Sequence, residues 1–137
     1  MEFKKQYWED IFSVTINLKR ATFLEAENLK KVLDWEDGKE FRKVIIDLSK
    51  CTHIDQVFLG VLISSLKKLV SLGGNLKIVL PKISFNLENR VIKVLRIFDT
   101  YTTHQEAVES YKKVFVTPIN QNKVNGEVSK SKVLLSM

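Results

Sequence analysis

The chain reads as an α/β domain built on a four- or five-stranded, mainly parallel sheet packed with about four helices. Three observations predict this. Val44–Leu48 is a short, continuous β-branched run, the pattern of a central strand covered on both faces. Leu76–Leu80 repeats that pattern, halted by Pro81. Between and after these runs lie segments with helical period, and strands alternating with helices imply parallel neighbours and right-handed crossovers.

The elements follow in order. Phe12, Val14, Ile16 and Leu18 alternate with Ser13, Thr15 and Asn17, the period-two signature of a strand. Residues 3–18 read as extended, with Glu9-Asp10 as the turn of a hairpin that opens with Phe3–Trp8. Residues 22–35 read as a helix with Ala26, Leu29, Val32 and Leu33 on one stripe. Thr22 and Glu25 have capping-box spacing, and Gly38 serves as a stop. Asp55 falls where the N-cap of the next helix belongs, and that helix runs from about residue 56 to 72, ending at Gly73-Gly74. Residues 84–96 form a third helix with Leu87, Val91, Val94 and Leu95 on one side, and Ile97–Tyr101 a short strand. Thr103-His104-Gln105-Glu106 repeats the capping-box spacing and opens a last helix, with Ala107, Val108 and Tyr111 facing inward. Residues 1–117 are one domain, and residues 118–137, with little apolar periodicity, read as a flexible tail.

With 137 residues and 45% apolar content, the chain can bury a substantial core. No run of about 18 apolar residues is present, so no membrane insertion is expected. The first six residues lack the apolar stretch of a secretion signal, and the single cysteine, Cys51, fits a reducing cytoplasmic setting as a small packing residue. The formal charge of +6 comes from scattered lysines rather than a basic face with interleaved aromatics, so no nucleic-acid partner is indicated. His53 and His104 are the only histidines. Cys51 and His53 lack a metal-type spacing with each other or with nearby carboxylates, so neither a metal site nor a catalytic pair is expected of them. No glycine-rich phosphate loop appears, and no nucleophile is paired with a base. Neither an enzyme nor a cofactor is expected.

What stands out is the corner where the Val44–Leu48 strand gives way to the helix starting at residue 56. Phe58, Leu59, Leu62, Ile63, Leu66, Leu69 and Val70 share one broad face of that helix, which packs on the sheet. Val57 and Val61 point away, beside Ser64 and Lys68. This outward pair has two readings, tolerated surface valines or a contact patch. Gly60, also outward, either permits close approach by another chain or meets a local packing need. Asp55 and His53 each read as structural or as contacts.

The stretch Val44–Asp47, Thr52-His53-Ile54-Asp55, Phe58-Leu59-Gly60-Val61-Leu62 and Gly73-Gly74-Asn75-Leu76 resembles the STAS domain of bacterial anti-sigma factor antagonists. Phe98-Asp99-Thr100 followed by Glu106-Ala107-Val108 fits as well, so the resemblance spans roughly residues 3–115. It implies a non-catalytic protein-binding module in partner-switching regulation of transcription, whose partner is a serine kinase that is also the anti-sigma factor. In that family a serine directly after the aspartate is phosphorylated, and the unphosphorylated form binds the kinase. Here the phosphorylation-equivalent position is Gln56, which has no hydroxyl and does not carry a phosphate's charge of about −1.5 to −2. The resemblance therefore implies a binder that cannot be switched at its usual position. Its expected partner-binding residues are His53, Asp55, Gln56, Val57, Gly60, Val61, Ser64 and Lys68. Two other readings stay open at this stage. One is a regulatory STAS subunit of another assembly, in lipid transport, chemotaxis or secretion; the other is a nucleotide or anion sensor at the helix start.

Overall fold

A computed structural model describes residues 2–37, 41–82 and 87–112. The expected hairpin is present: β1 (Phe3–Trp8) pairs antiparallel with β2 (Ile11–Ile16), and Glu9 in the turn takes a positive φ of 51°. β2, β4 (Lys43–Asp47), β6 (Asn75–Val79) and β7 (Asp99–Tyr101) then run parallel, giving a five-stranded sheet of order β1-β2-β4-β6-β7. The crossovers are α1 (Phe23–Asp37), α2 (Gln56–Ser71) and α3 (Asn89–Leu95), and α4 (His104–Lys112) follows β7.

Alternation along the strands divides the core in two. Phe12, Val14, Ile16, Val44, Ile46, Leu76 and Ile78 meet the buried stripes of α1, α2 and α3. Ile11, Ile45 and Val79 meet Ala107, Val108 and Tyr111 of α4. The α4 side also buries polar groups. Ser13 Oγ lies 2.7 Å from His104 Nε2, and Lys77 Nζ donates to Ser110 Oγ at 2.8 Å while lying over the Tyr111 ring. The Tyr111 hydroxyl accepts from Val44 N (3.2 Å) and has the carbonyls of Val44 and Asn75 within 2.9 Å as acceptors, so it ties β4 to β6 at their starts.

Both predicted capping boxes form. Leu24 N donates to Thr22 Oγ1 and Thr22 N to Glu25 Oε1; Glu106 N donates to Thr103 Oγ1 and Thr103 N to Glu106 Oε1. The turn after α2 needs both glycines. Gly73 has φ of +85°, and a side chain on Gly74 would strike the backbone of Arg42.

Three expectations change. The third helix starts at Asn89 rather than 84, because Glu88 at its cap is extended (φ −65°, ψ 149°) and Leu87 precedes it as a buried non-helical residue. The last strand is only Asp99–Tyr101, because Arg96–Phe98 finish α3 with turn hydrogen bonds to Ile92, Val94 and Leu95. A second, two-stranded parallel sheet was not foreseen: β3 (Arg20–Ala21) pairs with β5 (His53–Ile54). Two residues per strand carry no period to read. The stop at Gly38, the start of the expected 84–96 helix and the tail at 118–137 lie outside the described residues.

Candidate docking surface

The small β3/β5 sheet brings the starts of α1 and α2 together. Thr52 N and His53 N both donate to Lys19 O, at 2.7 and 3.0 Å, and Asp55 N donates to Ala21 O at 3.0 Å. Asp55 then caps two helices at once. Its Oδ1 accepts from Phe58 N (2.9 Å), the N3 amide of α2, and its Oδ2 accepts from Phe23 N (2.8 Å), the first residue of α1. The expected cap is confirmed; its second use joins segments 32 residues apart and leaves no trace in local sequence.

Gln56 begins α2 and is exposed. With its amide oxygen toward α3, it accepts from Arg90 Nη1 at 2.8 Å. Arg90 is itself paired with Glu88 at 3.2 Å. Gln56 is thus held by a guanidinium, a contact that the sequence did not mark.

Past Gln56, α2 has two faces. Phe58, Leu59, Leu62, Leu66 and Leu69 are buried, and Ile63 and Val70 pack partly against the same core. On the other face Val57 is 55% exposed. Val61 is half-buried and packs against the core, so it is less outward than the wheel implied. Gly60 is exposed, and a Cβ there would meet nothing within 4 Å. No packing among the described residues requires that glycine. Val57, Gly60, Val61, Ser64 and Lys68 line a groove of about 350 Å³, whose opposite wall is Lys30 and Asp34 of α1. Asp55 and Gln56 stand at its N-terminal end. His53, half-buried on β5, is two residues before the cap and does not line the groove.

The sequence reading missed the α1 side of this surface. Phe23 and Leu24, 61% and 67% exposed, add apolar area beside the shared cap. Both fall outside the Ala26, Leu29, Val32, Leu33 stripe, which was the available signal for them. Lys30, Asp34 and Arg90 come to the site only through tertiary packing.

Among the described residues no group of three or more His, Cys, Asp or Glu could hold a metal ion, and no helix is long and apolar enough to cross a membrane. Cys51 is buried, and burial, with the charges of Asp47 and Glu25 adding, pushes its thiol up to about 12, so it stays neutral.

A family model described as the STAS domain matches residues 12–107. No curated protein matches the chain. Among solved structures, TM1081 of Thermotoga maritima, described as a candidate anti-sigma factor antagonist, is 28% identical. That match has a TM-score of 0.65 and covers 79% of this chain and 92% of that one. The solution structure of TM1081 gives 30% identity, a TM-score of 0.66 and coverage of 81% and 89%. The anti-sigma factor antagonist SpoIIAA in its unphosphorylated form shares the fold at 11% identity, with a TM-score of 0.68 over 82% of this chain and 99% of that one. The chain belongs to the STAS domain family, on the side of it that includes the anti-sigma factor antagonists.

Proposed function

We propose that this protein is a non-catalytic partner-switching module that binds a serine-kinase anti-sigma factor and is not released by phosphorylation at position 56. The observation that carries this reading is the outward face of α2. It starts at the Asp55 double cap and continues as a groove whose Gly60 no packing among the described residues requires; on this reading the exposed Gln56 stands for the family's phosphorylated serine. His53, Asp55, Gln56, Val57, Gly60, Val61, Ser64 and Lys68 are the contact residues of this reading, to which Phe23, Leu24 and Lys30 are added.

Exposed apolar groups beside a fixed backbone favour a protein partner over a small ligand. Asp55 is a cap first and a contact second, because both carboxylate oxygens are engaged by backbone amides. Incubating the protein with serine-kinase anti-sigma factors and ATP tests the reading. Stable complex formation with no phosphate on residues 52–65 is expected. Phosphate on Thr52, Ser64 or Ser65, or no complex with any such kinase, contradicts it.

A further inference from the structure

The Gln56 side chain has a fixed polarity. Asp55 holds the backbone just before it by accepting from Phe58 N and Phe23 N. Arg90 of α3 holds the far end of the side chain. The amide oxygen accepts from Arg90 Nη1 at 2.8 Å, with Nε and Nη2 at 3.2 and 3.3 Å. The guanidinium is itself braced, because Nε and Nη2 donate to Glu88 Oε2 at 3.3 and 3.2 Å. Val91 and Leu95 are buried and anchor α3 beneath it.

A guanidinium carries donors only, so a carboxamide that meets it must turn its oxygen toward it. The two amide N–H groups are then left for another partner. Gln56 is exposed, and among the described residues no acceptor engages its nitrogen. Position 56 therefore offers donors and no acceptor. A serine there would also offer a donor, whereas an ionised glutamate would offer acceptors alone. A side chain fixed at both ends also loses less freedom on binding than one that must first be ordered.

We infer that, on the docking reading above, Arg90 is a positioning residue and the Gln56 amide N–H groups contact a hydrogen-bond acceptor oxygen of the partner. A lysine or arginine of the partner at this point would meet donors with donors, which selects against it.

Two measurements on the full chain test this. In the free, isotope-labelled protein, Arg90→Met should move the Gln56 side-chain amide resonances and make that amide more mobile on the ps–ns timescale. Arg90→Lys, which keeps a donor, should restore much of the wild-type behaviour. Arg90 is exposed, so the backbone resonances of Val91 and Leu95 should stay in place. In calorimetric titration with one serine-kinase anti-sigma factor, Gln56→Met should weaken binding about fivefold, as for one lost hydrogen bond. Arg90→Met should weaken it about threefold in the wild-type chain. It should have no effect in the Gln56→Ser chain, since a hydroxyl orients itself without Arg90. An equal loss in the Gln56→Ser chain would make Arg90 a direct contact and overturn the positioning role. So would an unchanged Gln56 amide in free Arg90→Met, and undiminished binding by Gln56→Met overturns the acceptor contact. Absence of any complex with wild type contradicts the docking reading instead, while the free-chain resonances still decide whether Arg90 holds the amide.

Discussion

Phe58, Leu59, Leu62, Leu66 and Leu69 of α2 are buried on the sheet, while Val57, Gly60, Ser64 and Lys68 of the same helix are exposed. One face is dictated by the fold. The other carries two features that folding alone does not favour: a largely exposed valine and a mid-helix glycine with open space around it. A glycine inside a helix destabilises it by roughly 0.5–1 kcal/mol relative to alanine. Its presence on the outward face is the kind of local cost that marks a site of interaction rather than of packing.

The contrast breaks most sharply at Phe58. Phe58→Ala removes a fully buried ring and should cost about 3–5 kcal/mol in a denaturation experiment. A loss under about 1 kcal/mol would mean that α2 does not anchor the core as described. Asp55→Ala comes next, at about 2 kcal/mol, because two helices lose a cap rather than one. Asp55→Asn separates the roles: it keeps an acceptor for one amide and should recover part of the stability. A full loss in Asn as in Ala would show that both carboxylate oxygens are needed.

Gly60→Ala sharpens the comparison from the other side. It should raise stability by about 0.5–1 kcal/mol, since the added methyl meets nothing. The same variant should weaken partner binding. Destabilisation would assign Gly60 to the fold instead.

The smallest effect belongs to the α4 side of the sheet, where burial is polar. His104 sits beside Trp8 and Ser13, with the charges of Asp47 and Lys4 acting on it. Desolvation holds its imidazolium form below the ordinary value of 6.5, with Asp47 opposing and Lys4 assisting. The folded state therefore resists protonation that the unfolded chain accepts. Stability from this group is fully present above pH 6.5 and falls as pH drops through the lowered folded value. His104→Gln, which keeps a hydrogen-bonding partner for Ser13, should flatten the melting temperature over that acidic range. An unchanged acid slope would remove His104 as its source.

Much of the fold was legible because it is written in local periods. The hairpin, the β4 and β6 runs, the two capping boxes and the Gly73-Gly74 stop all have signatures within a few residues. α3 does not include Leu87, because an apolar stripe does not show where its backbone turns helical; Leu87 belongs to the stripe without belonging to the helix. The β3/β5 pair was invisible because two-residue strands have no period. At the site, Asp55 and the two faces of α2 were readable from capping chemistry and a helical wheel, and Gln56 was singled out only by the family resemblance. Lys30, Asp34, Phe23 and Arg90 were not, because their place depends on α1 and α3 packing beside α2. The Gln56–Arg90 contact also refines the meaning of Gln56: the position is occupied by a neutral acceptor already engaged by a cation.

The most direct test of the docking account is calorimetric titration of one serine-kinase anti-sigma factor with three forms of the full chain: wild type, Gln56→Ser and Gln56→Glu. The account predicts that wild type and Gln56→Ser bind alike. Gln56→Glu should bind about tenfold more weakly, the added carboxylate being partly offset by Arg90. Equal binding by all three would place the interface away from this turn and contradict it.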